Sequence, residues 1–370
     1  DSAGESNAGS AHVYVGTYTE RLSFVAGKAK GIYVYRFDVL SGALTLVSEA
    51  AGTINPSFLA ISPGNDHLYA VNEIAGGPDA QGTVSAFAID PATKGLTFLN
   101  KQASHGEAPC YVSVDGRGRY VLVSNYVSGT LCVLPILDDG SLGAATDVVR
   151  HQGSGPTARQ EGPHAHSIRP APDNRFVFAL DLGIDKIMAY WLDLEQGRLV
   201  PADVPWTQVT PGNGPRHLTF HPGGRFAYAI NELSSTVTAL TYDADRGAFE
   251  ELQTISTLPD DFDGENTCAD IHIAPSGKFL YGSNRGHVSI AIFAVDAESG
   301  KLSSVGHEST QGATPRNFAI DPSGTFLLAA NQDSDSVVSF RIDQDSGALT
   351  STGHICEVPT PVCVRFLAAP

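Results

Sequence analysis

Apolar residues in this chain come in short runs with alternating polar positions, and each run is closed by glycine, proline, aspartate or asparagine. One stretch shows the grammar. An apolar run through Leu218 and Phe220 ends at His221, Pro222-Gly223-Gly224 turns, and a second run alternates through Phe226, Tyr228 and Ile230. Alternation bounded by turn residues predicts a β-hairpin. A hairpin returns the chain to the edge it left. Arg216, just before the first strand, and Asn231 and Glu232, at the end of the second, are therefore predicted to share one rim.

The same unit recurs. Pro56-Ser57-Phe58 leads to Asn72-Glu73, Pro109-Cys110-Tyr111 to Asn125-Tyr126, and Pro163-His164-Ala165-His166 to Asp181-Leu182. Ala269-Asp270-Ile271 leads to Asn284-Arg285, and Pro315-Arg316-Asn317 to Asn331-Gln332. Pro56, Pro109, Pro163 and Pro215 are separated by 53, 54 and 52 residues. Several short strands in a unit of about 40–50 residues mark a β-propeller, whose units must stack because none can bury both faces alone. Units begin near residues 55, 108, 162, 214, 268 and 314. The strands predicted over 12–19, 31–38 and from 44 onward match the second to fourth strands of a unit whose first strand is missing. Pro361-Val362-Cys363-Val364 supplies it from the other end. The prediction is an all-β, seven-bladed β-propeller in one domain over 11–370, its ring closed by the C-terminal strand joining the N-terminal blade.

Longer insertions fall at 75–81, 150–162, 201–214 and 258–267. All but the first precede a new first strand, on the face where the second strand ends, so they are expected to wall a site there. Read across units, the residue after the anchoring proline varies (Ser57, Cys110, His164, Arg216, Ala269, Arg316, Val362), as does the end of the second strand. Packing does not require His, Arg or Glu at such places. The candidates are therefore His164, Arg216, Glu232 and Arg285, with Arg316 in the next blade. Arginine is a permanent forked donor for a carboxylate, a phosphate or a developing oxyanion. Glu232 and His164 are the candidate proton carriers. The alternative is a structural Arg216–Glu232 salt bridge beside a satisfied histidine.

Composition narrows the classes. The 370 residues carry a net charge of −17, which disfavours nucleic acid and anionic membrane as partners. Residues 1–10 are small and polar and read as a disordered tail, with a lean towards a periplasmic or secreted protein over a cytoplasmic one. Five cysteines are an odd number. Cys356 and Cys363 flank Pro359-Thr360-Pro361 and either bridge a loop or remain free thiols. His164 and His166 would face one side of a strand, but no third metal ligand is fixed by spacing. His272 and His287 read as hydrogen-bonding groups of the rim or core, and the acidic stretch 260–264 as a solvated loop. There is no Gly-x-Ser-x-Gly, P-loop or Cys-x-x-Cys motif.

Taken together, residues 12–19, Gly162-Pro163-His164-Ala165-His166-Ser167, 214–232, 269–275, 283–290 and Pro315-Arg316-Asn317-Phe318 resemble the seven-bladed propeller lactonase family. That family holds propeller-type 6-phosphogluconolactonases and the fungal carboxymuconate lactonizing enzyme. The resemblance implies hydrolysis of a sugar lactone, with a muconate-type lactonizing reaction or a non-catalytic sugar-binding propeller as alternatives. By motif, the family's catalytic set falls on His164, Arg216, Glu232 and Arg285, and His166 belongs to the same motif as His164. His166, Arg316, Asn231, Asn284 and Tyr18 are the expected substrate contacts. His287-Val288-Ser289 departs from the family's more usual His-Asp-Ser or His-Asn-Ser. No cofactor is expected beyond a structural or channel-bound divalent ion, and a homodimer is compatible with the reading.

Overall fold

Seven four-stranded antiparallel sheets and one two-stranded ribbon (Arg21–Leu22 with Val25–Ala26) make up the strands of the computed structural model, which describes residues 10–76 and 80–368. The innermost strands are Leu59–Ile61, Pro109–Val114, Ala165–Pro170, Pro215–Phe220, Cys268–Ile273, Pro315–Ile320 and Pro361–Phe366, here the first strands of blades 1 to 7. Each packs beside the next around a ring. The ring closes as the sequence predicts: Pro361–Phe366 pairs antiparallel with Ser10–Thr17, whose other edge pairs with Gly31–Asp38. Of the expected tail, only Ser10 lies within the described residues, and it opens that strand. Among the described residues no helix is long and apolar enough to cross a membrane.

Apolar side chains from facing sheets fill the space between blades, as with Phe176, Phe178, Phe220, Tyr242 and Phe249 between blades 3 and 4. Buried tyrosines add a repeated polar tie. Tyr14, Tyr69, Tyr228 and Tyr281 sit on second strands, and each hydroxyl donates to a backbone carbonyl in the outer turn of the following blade, at Lys94, Gly140, Gly300 and Gly347. Those turns are stiffened by aspartates such as Asp296 and Asp343, whose Oδ1 accepts backbone N–H groups two and three residues on. Part of the 201–214 insertion continues the outer strand Arg198–Gln208. Of the two readings of Cys356 and Cys363, the structure has the free thiols, one on an outer strand of blade 6 and one on the inner strand of blade 7.

The feature that shapes the site is a one-residue β-bulge in the inner hairpin. In blade 4, Pro215 faces Asn231 and His217 faces Ile230, which leaves Arg216 unpaired. Blades 2, 3, 6 and 7 shift register in the same place, leaving Cys110, His166, Arg316 and Val362 as the extra residues. A bulged residue leaves the ladder and its side chain is re-aimed, here towards the central axis.

At the end of the second strand an asparagine recurs. Asn72, Asn125, Asn284 and Asn331 each donate Nδ2–H to the carbonyl where the previous blade's outer strand exits, at Ile54, Ser104, Thr257 and Thr310. Asn231 instead donates to Thr236 and Thr238 on its own third strand. These amides tie one blade's entry to its hairpin. Replacing fully buried Asn284 with Ala removes one partner each from the hydroxyl and the carbonyl of Thr257, which keep Ser235 O and His307 Nε2, so Asn284→Ala is expected to destabilise the fold by about 1–3 kcal/mol while leaving KM for a lactone unchanged. Denaturant melts and steady-state assays together check this; a raised KM with unchanged stability would make Asn284 a ligand group instead.

Candidate active site

Two rings of side chains meet where the inner hairpins end. The bulged residues form the lower ring and the residues just after the second strands form the upper one. One backbone bond fixes the upper ring in every blade. The N–H of Glu73, Tyr126, Leu182, Glu232, Arg285, Gln332 and Tyr18 donates to the carbonyl of Asn55, Ala108, His164, Gly214, Thr267, Thr314 and Thr360 respectively. Gly214 shows why the sequence folds this way locally. Its φ is 63°, a conformation that favours glycine, and its own N–H is fixed by Asp185 Oδ1 at 2.8 Å.

Together the rings enclose a cavity of about 270 Å³ lined by Glu73, Cys110, Tyr126, His166, Glu232, Arg285 and Arg316, with Arg159, Phe24 and Thr267 from the loops above. Glu232 is the electrostatic centre. It is 4% exposed, and its Oε2 accepts from Arg216 Nε at 2.9 Å while its Oε1 accepts from Arg159 Nη2 at 3.1 Å and forms an ion pair with Arg285 Nη2 at 3.0 Å. Burial pushes this carboxyl up, but Arg285, Arg216, His166 and Arg159 outweigh it and hold it well below the usual carboxylate range. Arg216 spends Nη1 on the Ala269 carbonyl and on His217 Nε2. Arg316 hydrogen-bonds to no protein group among the described residues; it lies over the rings of Tyr18 and Phe24 at 5.8 and 5.2 Å.

Of the residues expected from sequence, Arg216, Glu232, Arg285, Arg316, His166 and Tyr18 converge on this cavity or the recess beneath it. His164, Asn231 and Asn284 do not line it. His164 holds the place of Gly214, one step before the strand, and His166 is the bulged residue, so the histidine equivalent to Arg216 is His166. The His164 ring stacks on Tyr126 at 4.6 Å and bonds through Nδ1 to the Tyr126 carbonyl and through Nε2 to Glu161. His166 is buried, with Nε2 4.0 Å from Glu232 Oε2 and Nδ1 3.7 Å from Cys110 Sγ. Burial and Arg216 keep its pKa well below the histidine norm, so it is neutral at pH 7. Cys110 is no thiolate: burial, then Glu73, push its pKa up to about 12.

The sequence analysis passed over Glu73, Arg159 and Tyr126. Glu73 follows Asn72 just as Glu232 follows Asn231, a signal present in the aligned units. Arg159 comes from the 150–162 insertion, which was expected to wall the site but gave no residue; it bridges Tyr126 Oη at 3.0 Å and Glu232. Among the described residues no group of three or more His, Cys, Asp or Glu side chains is placed to hold a metal ion.

Below Arg216 a polar chain crosses the axis. Arginine can only donate, so His217 Nε2 accepts from Arg216 Nη1 at 3.3 Å and the ring proton sits on Nδ1, donated to Asp270 Oδ1 at 2.8 Å. Asp270 Oδ2 accepts from His272 Nε2 at 2.8 Å and Asn317 Nδ2 at 2.6 Å. Asp270 thereby fixes the tautomer of His217, and His217 fixes the guanidinium of Arg216.

A family model described as lactonase, 7-bladed β-propeller, matches residues 12–366. The chain belongs to this family and is a lactone-hydrolysing enzyme. It is 42% identical over 354 residues to the 6-phosphogluconolactonase of Bacillus subtilis, across 96% of this chain and 97% of that protein. It is 38% identical over 321 residues to the 6-phosphogluconolactonase of Formosa agariphila, across 83% of this chain and 86% of that one. The solved structure of a periplasmic gluconolactonase from Pseudomonas aeruginosa matches with a TM-score of 0.91 at 37% identity, covering 98% of this chain and all of that one.

The axial chain carries a pH signature. Burial, then Arg216, lower the His217 pKa from 6.5 to about 4. The unfolded chain takes up this proton near pH 6.5 and the folded chain only near pH 4, so the native state is disfavoured as the pH falls through that window. His217 alone should remove about 3 kcal/mol of stability between pH 7 and pH 4. Urea melts across this range check it, and His217→Gln is expected to flatten the slope; an equal slope in both proteins would contradict the assignment.

Proposed function

We propose that the substrate is an aldonolactone, 6-phosphogluconolactone or gluconolactone, opened to its aldonic acid at the cavity between Glu232 and Arg316. The observation that carries this reading is the pairing of committed and uncommitted cations. Arg159, Arg216 and Arg285 are held in place by one carboxylate, while among the described residues Arg316 has no ion-pair or hydrogen-bond partner and only packs over Tyr18 and Phe24. A held guanidinium with donors to spare is preorganised for charge that develops during reaction. Arg216 still has Nη2 free, and Arg285 has Nη1. In this reading they receive the lactone carbonyl oxygen as water attacks the carbon. Glu232 does not leave its ion pairs; it keeps the guanidiniums aligned. His166 stays neutral and offers a hydrogen bond to a sugar hydroxyl. Arg316 takes the hydroxyl or phosphate at the far end of the sugar.

Export, the lean of the N-terminal composition, would favour the unphosphorylated lactone, and the Pseudomonas relative is a periplasmic gluconolactonase. A cytoplasmic location would favour the phosphorylated one, in line with the name of the Bacillus relative.

Arg216→Ala and Arg285→Ala are each expected to lower kcat/KM for lactone hydrolysis about 10²–10³-fold. Arg316→Ala is expected to raise KM with a smaller change in kcat, and more for the phosphorylated lactone if that is the natural substrate. The assay follows acid release above the spontaneous rate. Equal rates in wild type and all three variants would reject the site.

A further inference from the structure

Two carboxylates face the cavity, and they differ in the partners that hold them. Glu232 is saturated by three guanidinium groups. Glu73, equally buried at 4% exposure, comes from the corresponding place in blade 1, on the other side of the axis. Its Oε2 accepts from Tyr18 Oη at 2.8 Å and from Ser57 Oγ. Both donors are neutral; burial, the largest influence, keeps the Tyr18 phenol well above its ordinary pKa. Among the described residues Oε1 accepts no hydrogen bond and Glu73 forms no ion pair. Arg316 is the nearby cation, and no hydrogen bond joins it to Glu73.

Beneath the cavity lies a recess of about 10 Å³, lined by Tyr18, Ser57, Glu73, His166, Arg216 and Arg316 among others. That is the volume one water occupies. Recess and cavity share Glu73, His166 and Arg316 in their walls. A water in the recess therefore meets the wall that Glu73 shares between recess and cavity, beneath a lactone ring held above.

Resting on the lactone reading of this site, we propose that Glu73 is the general base of the reaction. Glu73 Oε1 takes a proton from the recess water as the water oxygen bonds to the lactone carbonyl carbon. The carbonyl π pair moves onto the carbonyl oxygen, beside the free donors of Arg216. The tetrahedral adduct then collapses: the carbonyl re-forms, the bond from its carbon to the ring oxygen breaks, and the protonated Glu73 returns its proton to that leaving oxygen. Lactone and water become the hydroxy acid, and Glu73 ends as it began. Glu232 cannot do this without giving up its hold on three guanidiniums, and Cys110 is a thiol.

The test uses the full chain and gluconolactone. Glu73→Gln keeps the shape and both neighbouring donors. It is expected to lower kcat about 10²–10⁴-fold, the usual contribution of a positioned general base, with KM little changed. In Glu73→Ala, added formate is expected to restore turnover in proportion to its concentration, which loss of a merely structural carboxylate would not allow. Glu73→Asp, with charge kept and reach shortened, serves if the other two fail to fold and should also lose kcat at unchanged KM. Near wild-type kcat in Glu73→Gln would overturn the proposal while leaving the lactonase reading intact. A wild type that turns over neither gluconolactone nor its 6-phosphate would overturn both.

Discussion

The site depends on a single extra residue at one end of the inner strand. Without it, every side chain there would obey the two-residue alternation of a strand and point into the packing between blades. With it, Cys110, His166, Arg216, Arg316 and Val362 step out of register and turn towards the axis. The rest of the blade keeps its ladder. Burying charge is thereby confined to a narrow belt, and the sheets on either side remain ordinary apolar sandwiches.

That belt is stable only because its charges answer one another. An isolated buried carboxylate would take up a proton, and an isolated guanidinium would seek water. Glu232 and its three arginines satisfy each other from blades 4 and 5 and from the loop that precedes blade 3. The axial chain from Arg216 through His217 and Asp270 to His272 carries the same logic downward. Removing Glu232 would leave Arg216 and Arg285 without their carboxylate. The centre is therefore stiff by construction, and its stiffness is what preorganises the free donor faces of the guanidiniums.

Much of this was legible in the sequence. Repeat length, turn residues and the displaced first strand were sufficient for seven blades and for ring closure. Arg216, Glu232, Arg285 and Arg316 stood out because packing has no need of them. The histidine was misplaced by two residues because Pro163 was aligned with Pro215; the backbone bond from Leu182 to the His164 carbonyl puts Ala165 in that place instead. Register at a bulge is set by hydrogen bonds that side-chain identity does not report. Asn231 and Asn284 looked like ligands because they adjoin charged residues, yet a strand alternates, and the residue beside a cavity-facing one turns into the sheet. Glu73 escaped notice because the residue after its unit's anchoring proline is Ser57, where blade 4 has Arg216. Arg159 sits in an insertion with no counterpart in the other units.

The seam between Pro361–Phe366 and Ser10–Thr17 also sets the order of events at birth. Six sheets can assemble behind the ribosome as their strands emerge. The N-terminal sheet cannot, because its axial strand comes after every other strand of the propeller. Until then Ser10–Thr17 carries a bare edge, open to any extended segment from a neighbouring chain. The nascent propeller is thus most vulnerable at the first strand of its ring, and the last one ends the exposure.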